Sequence, residues 1–242
     1  MADLTTFVFH SFPAKIHFRG DGIRNVFLGS SGDRSSDPEF FSGMDFFEED
    51  DPTEVTPYND LLNESTGIRW LGKNFEKVGN PEYVGTAHYR RMLEVNPKEL
   101  SPDTIFCHME RQPLGIFRMY DLYHVVEDLR MFISRFYRKH QDYARFLNDY
   151  MDSKEYASRN MFVMHRDIFS EYSDFQKGCL DVLLKMAEET NFRLRDRYQK
   201  RAIGFIMERM TGFWIWWKGR LGTKIANSNI VETGSESPYQ RD

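Results

Sequence analysis

A run of small and apolar residues, Tyr83-Val84-Gly85-Thr86-Ala87, breaks off into His88-Tyr89-Arg90-Arg91, and no other stretch limits the possible folds so narrowly. Gly79-Asn80-Pro81 just upstream is a turn signal, so Tyr83 to Ala87 reads as a short buried strand of an α/β sheet. In open α/β sheets, ligands collect just beyond the carboxyl ends of the strands. An imidazole, a phenol and two guanidiniums delivered to that rim suit an anion, because arginine forks match phosphate oxygens two at a time. The same arginines would serve equally as solvated charges or as partners of nearby acids.

The rest of the chain supplies the other elements of such a fold. Thr5–His10 and Asn25–Leu28 read as the first two strands, Thr104–Cys107 and Asn160–Met164 as later ones. Pro57–Asn74 has helical spacing, with Thr56 as N-cap and Pro57 in the first turn. Tyr120–Tyr150 is expected to be a helix whose apolar face carries Leu122, Val125, Val126, Leu129, Phe132 and Ile133. Asp167–Glu189 and Ile203–Trp217 are expected helices as well, the second rich in aromatics. The acidic run Glu48-Glu49-Asp50-Asp51 is expected in a solvated loop. No internal repeat or long linker divides the chain. The economical reading is one α/β domain over residues 1–226, followed by a polar, loosely ordered tail at 227–242.

A net charge of −5 gives no global field toward nucleic acid or anionic lipid, although Arg135–His140 and Arg193–Arg201 leave local basic patches open. The bland reading of the first group is a solvated helix face. Cys107 and Cys179 lack metal-ligand or redox spacing and are expected to be reduced. The chain opens without a signal-peptide pattern, and no window approaches the roughly twenty apolar residues that span a bilayer. A soluble, cytoplasmic protein is the expectation.

Several segments together resemble a family of bacterial glycosyltransferase-like proteins found with capsule and surface-polysaccharide genes, long catalogued as a domain of unknown function. Glu64–Asn74 is similar to its helix ending in a Trp and a Lys-Asn pair, and Tyr83–Arg91 to its His-Tyr-Arg-Arg signature. His124–Leu129, Asn160–Met164 with Ile168–Tyr172, and Gly204–Arg209 resemble later pieces in the same order. In place of the family's Asn- and Gly-rich segment before the first helix stands Phe47-Glu48-Glu49-Asp50-Asp51. The resemblance implies a GT-A-like fold: a Rossmann-type nucleotide-sugar-binding half merged with a helix-rich C-terminal half.

It also implies transfer of a sugar from a nucleotide-diphosphate donor, a uridine diphosphate sugar above all, to a hydroxyl on a glycan or lipid-linked saccharide. Two alternatives stay open: transfer to hydroxylated bases of viral DNA, with the basic groups tracking phosphates, and a nucleotide- or sugar-binding module without turnover. Such chemistry needs positive charge set against the departing diphosphate and a base for the acceptor. Many enzymes of this fold hold manganese or magnesium with an Asp-x-Asp pair, but none follows a predicted strand here. Asp196, alone between Arg195 and Arg197, reads as the partner of one of them. The metal requirement is therefore left open, and His88, Tyr89, Arg90 and Arg91 are assigned to the donor instead. Lys73, Asn74, His124 and Asn160 join them as donor-binding candidates, and Glu208, His88 and Asp128 are the catalytic candidates. His124 and Asp128, four apart, would share one helical face, to bind a sugar or metal or simply to pair. Glu208 is either paired with Arg201 or Arg209 or free to act as base, and Glu64 has the same ambiguity. Trp70, Trp214, Trp216 and Trp217 suit the core better than a sugar platform, though Trp216-Trp217-Lys218 could face an acceptor or membrane.

Overall fold

The computed structural model describes residues 3–29 and 34–233. Its framework is β1 (Leu4–His10), β2 (Ile23–Phe27), α1 (Pro38–Phe41), β3 (Phe46–Phe47), α2 (Asn59–Leu62), α3 (Glu64–Lys73), β4 (Tyr83–His88) and β5 (Arg91–Leu93). The C-terminal half adds β6 (Thr104–Arg111), α4 (Ile116–Tyr123), α5 (Val126–Lys139), α6 (Ala144–Asp152), β7 (Glu155–His165), α7 (Arg166–Glu189), α8 (Ala202–Arg220), β8 (Lys224–Asn227) and β9 (Ile230–Glu232). The main sheet runs β3-β2-β1-β4-β7-β6-β8, with β5 and β9 attached beyond β4. This is the mixed α/β architecture with a helical C-terminal half that the sequence predicts.

Strands β3, β2, β1 and β4 are parallel to one another, and β7 enters antiparallel against β4 and β6. Phe7, Val8, Phe9, Val26 and Val84 are fully or almost fully buried, as parallel strands covered on both faces require. Helix α3 lies close on β1: a methyl group at Gly67 would fall 2.4 Å from the Phe9 ring, so glycine sets the approach. Helix α8 is buried around most of its circumference, which explains its nearly unbroken apolar sequence. Trp70, Trp214 and Trp216 belong to the core, and Lys218 pairs with Glu171.

Four expectations change. The helix expected over 57–74 is interrupted at Asn63, whose φ of 53° asparagine tolerates better than most residues, and α3 starts there. Thr56 is no N-cap for it: its hydroxyl donates to Glu48 and accepts from the Thr53 N–H. The helix expected over 120–150 is three helices, because His124 and Val125 are extended and residues 140–143 form a turn. Leu122 is thereby 63% exposed, away from the apolar face assigned to it. The acidic run is no solvated loop. Glu48 is buried, accepting from the Gly29 N–H at 2.8 Å and the Thr56 hydroxyl at 2.7 Å, and Arg34 pairs with Glu49 and Asp50. The segment expected as a loose tail begins with a strand, β9 on β5, with Arg91 bonded to Glu232; residues 234–242 lie outside the described residues.

Candidate functional site

Strand β4 ends at His88, Tyr89 and Arg90 turn, and Arg91 opens β5 directly opposite His88. This hairpin stands at the carboxyl end of the parallel strands β1 and β4, where α/β sheets take ligands. A cavity of about 290 Å³ opens there, and all four residues of the His-Tyr-Arg-Arg element line it. Ser11 and Phe12 contribute from the end of β1, Asn63 and Glu64 from the start of α3, and Gly204, Phe205 and Glu208 from α8.

Strand β7 closes the floor through an irregularity. Cys107 on β6 faces Phe162, yet Met109 faces Ala157, so β7 holds extra residues between them. Two of these, Arg159 and Asn160, have φ of 69° and 51°, a left-handed pair inside a strand. Such backbone persists only where its surroundings over-determine it. Here the Arg159 N–H donates to Glu208 Oε1 at 2.8 Å, and its carbonyl accepts from His88 Nε2. The Thr86 hydroxyl donates to the Asn160 carbonyl at 2.9 Å. Asn160 Oδ1 accepts from the Thr211 hydroxyl at 2.8 Å, and Nδ2 donates to the Ser65 hydroxyl at 3.5 Å. The Asn160 amide thus holds the bulge through Thr211 and Ser65, and Asn160 also lines the cleft.

Four guanidiniums, those of Arg90, Arg91, Arg159 and Arg201, line the cleft against the two carboxylates of Glu64 and Glu208. Arg91 is drawn to Glu232 and Arg159 to Glu110, at 2.7 Å. Arg90 Nε is buried and finds no hydrogen-bond partner. Glu64 Oε1 lies 3.3 Å from His88 Nδ1. Burial pushes the Glu64 carboxyl up, but His88, Arg201 and Arg90 together outweigh it and hold the group below the usual carboxylate range. The chain carries net negative charge, yet its cleft is cationic. Phe12 and Tyr89 meet edge to face at 4.9 Å on one wall, an aromatic surface beside the cations.

A divalent ion does not suit this donor set. Glu64 is surrounded by cations, and Glu208 accepts from Arg159 N–H with Arg209 Nη1 3.6 Å away. Among the described residues, no three His, Cys, Asp or Glu side chains converge.

The structure separates the other candidates from this group. Lys73 and Asn74 sit at the far end of α3, about 14 Å from Glu64 at 1.5 Å per residue. Lys73 Nζ donates to the Pro52 carbonyl and the Asn74 amide to the Trp70 carbonyl, both at 3.0 Å. His124 and Asp128 do not share a helical face, since His124 ends α4 in extended backbone while Asp128 lies in α5. The His124 ring packs on Phe205 at 4.3 Å and stacks on Tyr198 at 5.4 Å, so it braces two residues of the cleft wall. Asp128 is buried and takes both forks of Arg195, which anchors the segment leading to Tyr198 and Arg201. Asp196 Oδ1 accepts from the backbone N–H groups of Tyr198 and Gln199, each at 2.8 Å, and its charge also acts on Arg195. Arg159 and Arg201 are the charged cleft residues that the sequence reading did not assign to the site. The available signals were a polar Ser158-Arg159-Asn160 triplet opening an apolar strand, and a basic run just before the aromatic helix.

Three of the basic residues elsewhere have carboxylate partners. Arg135 pairs with Glu189, Lys139 with Asp181 and Arg193 with Asp60. No helix is long and apolar enough to cross a membrane among the described residues.

Comparison with known proteins adds two findings. Residues 100–219 match the model of a family described as a domain of unknown function, DUF4422. That segment contains His124–Leu129, Asn160–Met164 and Gly204–Arg209, while the His-Tyr-Arg-Arg element lies before it. No curated protein matches the sequence. The fold is similar to a solved structure of a WbbM bifunctional glycosyltransferase in its apo state, with a TM-score of 0.77 and 19% identity over 97% of this chain. The chain spans 46% of that structure's length, less than half of it, and what the two share is the fold.

Proposed function

We propose that the cationic cleft binds the diphosphate of a nucleotide-activated sugar, most simply a uridine diphosphate sugar, and that the protein transfers the glycosyl group to an acceptor hydroxyl. One observation carries this reading: four guanidiniums gather at the carboxyl ends of parallel strands, in a fold shared with a glycosyltransferase structure. Arg90, with its buried Nε unpartnered, and Arg201 would take the phosphate oxygens, while Phe12 and Tyr89 offer a wall for the base. Charge developing on the departing diphosphate would meet fixed guanidiniums in a part-dry cleft, where they act more strongly than in water. We assign that charge to the arginines and not to a resident metal.

Glu208 faces the same cleft from α8 and is held by the Arg159 N–H, placing a carboxylate where it could accept the acceptor's proton. His88, fixed between Glu64 and the Arg159 carbonyl, would position the floor. A saccharide acceptor fits better than nucleic acid, because the basic groups at Arg135, Lys139 and Arg193 already have carboxylate partners. The cytoplasm is the proposed setting, in keeping with two free, buried cysteines.

The test is a thermal-shift panel of nucleoside diphosphates and their sugars, with and without manganese, on the wild type and Arg90→Ala. A ligand at about a hundred times Kd adds roughly 2.7 kcal/mol, or about 5–10 °C for a chain of this size. A shift with one nucleotide family, unaffected by manganese and lost in Arg90→Ala, is expected. No shift with any of them would refute the donor site.

A further inference from the structure

Consecutive residues of a helix project about 100° apart, and on α8 this places Glu208 and Arg209 toward two different cavities. Glu208 lines the cleft described above. Arg209 lines a second pocket of about 140 Å³, walled by Ile116, Met119, Tyr123 and Tyr156 with Gln112 at one side. These are the only charged residues between Ala202 and Trp217, so a polar pair has been kept inside an otherwise apolar helix.

Arg209 is only 14% exposed in its side chain. Its guanidinium lies between the rings of Tyr120 and Tyr156, 5.3 and 5.5 Å from their centroids. It donates one hydrogen bond, to the Phe205 carbonyl at 3.1 Å. Glu208 is 3.6 Å away, beyond the 2.7–2.9 Å typical of a charge-assisted bond, and is already engaged by the Arg159 N–H. The hydroxyls of Tyr120 and Tyr150 are buried nearby without partners, and the Tyr156 hydroxyl lies beside Glu208. The pocket lining therefore holds a cation and no acid. Glu208 supplies charge compensation at 3.6 Å, but the single hydrogen bond to Phe205 leaves the rest of the guanidinium fork to the pocket, and a planar two-oxygen anion matches that fork.

We propose that this pocket receives the carboxylate of an acidic sugar, with Arg209 gripping the carboxylate and the Tyr123 and Tyr156 rings flanking the sugar. The inference builds on the proposed glycosyl transfer. Glu208, adjacent to Arg209 on α8, lines the cationic cleft, so the two cavities are served by neighbouring residues of one helix turn. Tyr123 also links the two sites, since its carbonyl accepts from the Gln199 side chain at 3.0 Å, next to Tyr198 of the cleft wall. A pocket of 140 Å³ suits one carboxylate-bearing ring edge and not a whole oligosaccharide.

The test is saturation-transfer NMR with methyl glucuronide, methyl glucoside and inorganic phosphate as probes, each with uridine diphosphate present. The glucuronide is expected to bind at least tenfold more tightly than the glucoside and to survive excess phosphate. Arg209→Gln should abolish the preference. Because that variant removes a buried group, Met119→Trp, which fills the pocket from its partly exposed wall, serves as the second variant. It should lose glucuronide binding while keeping the nucleotide-induced thermal shift. Equal binding of glucuronide and glucoside, displacement by phosphate, or unchanged binding in Met119→Trp would each overturn the proposal. A larger thermal shift with uridine diphosphate glucuronate than with uridine diphosphate glucose, also lost in Met119→Trp, would place the carboxylate on the donor sugar instead of the acceptor. Nucleotide binding is read separately. Its absence alongside retained glucuronide binding would sink the donor reading and leave the pocket standing.

Discussion

Replacing Gly204 with alanine sets two opposed effects against each other on one helix. Alanine is favoured over glycine in a helix interior by about 1 kcal/mol, so the change stabilises α8 considered alone. A methyl group at Gly204, however, would lie 2.7 Å from the Leu61 carbonyl oxygen and 3.4 Å from the Leu62 carbonyl carbon. Both are backbone atoms, so relief requires α8 to move several tenths of an ångström away from the α2–α3 junction. Overpacking of this kind costs about 1–3 kcal/mol, which leaves Gly204→Ala less stable by about 0–2 kcal/mol. Gly219, near the other end of the same helix, supplies the control. A methyl group there meets only the Ile225 side chain at 3.1 Å, which can rotate, so Gly219→Ala is expected to be neutral or stabilising. Urea unfolding followed by tryptophan fluorescence measures both, because Trp70 and Trp214 are buried. Gly204 also lines the cleft opposite Asn63 and Glu64, so the same displacement should weaken nucleotide binding about three- to tenfold. If the two glycines respond alike, or if the Gly204→Ala midpoint rises, the close approach of α8 to α2 does not hold the cleft together.

Asp128→Ala strips Arg195 of its buried partner and is expected to cost about 2–4 kcal/mol in urea unfolding. It should also weaken nucleotide binding, because Tyr198 and Arg201 are carried by the segment that Arg195 anchors. At Asn160, alanine loses the bond from Thr211 and adds left-handed strain, about 1 kcal/mol each, whereas glycine loses only the bond. A denaturant midpoint for Asn160→Gly no better than for Asn160→Ala would refute the strain. Glu64 has a folded pKa below its unfolded value near 4.5, so its contribution to stability is full above that value. It is lost as the pH falls through the lower folded value. Glu64→Gln should therefore flatten the acid limb of the stability profile below the unfolded value near 4.5, without changing its shape at neutral pH.

The parts of this fold that local sequence determines were readable from it. Short apolar runs bounded by turn residues located β1, β2 and β4, and the long amphipathic pattern from Asp167 to Glu189 gave α7 almost to the residue. The His-Tyr-Arg-Arg element also fell in the cleft, because a strand end is fixed by its own residues. What depends on distant partners did not show. Nothing near His124 marks a helix break, and the ring is held extended by Tyr198 and Phe205, more than seventy residues later. Lys73 and Asn74 have the polar character of ligand-binding residues, yet helix geometry carries them to the far end of α3. The acidic run looked solvated because its counter-partners, Gly29, Arg34 and Thr56, are brought in by tertiary packing. Arg159 was hidden for a further reason. A bulge with two left-handed residues leaves only a weak mark in sequence, the asparagine at its second position.

The bond from Thr86 to the Asn160 carbonyl joins residues 74 apart, and the Thr211 hydroxyl then secures Asn160 from a further 51 residues on. Closures of this span come late in folding, because their entropy is lost before any local contact repays it. A nascent chain that ends before α8 already holds β1, β2, β4 and the arginine hairpin, but lacks Glu208 to catch the Arg159 N–H and Thr211 to secure Asn160. The hairpin's arginines are then present while the floor beneath them and the β9 partner of β5 are missing. If the cleft binds nucleotide as proposed, competence is acquired late, once α8 docks and β9 pairs with β5, and ligand capture by a growing chain would time those events.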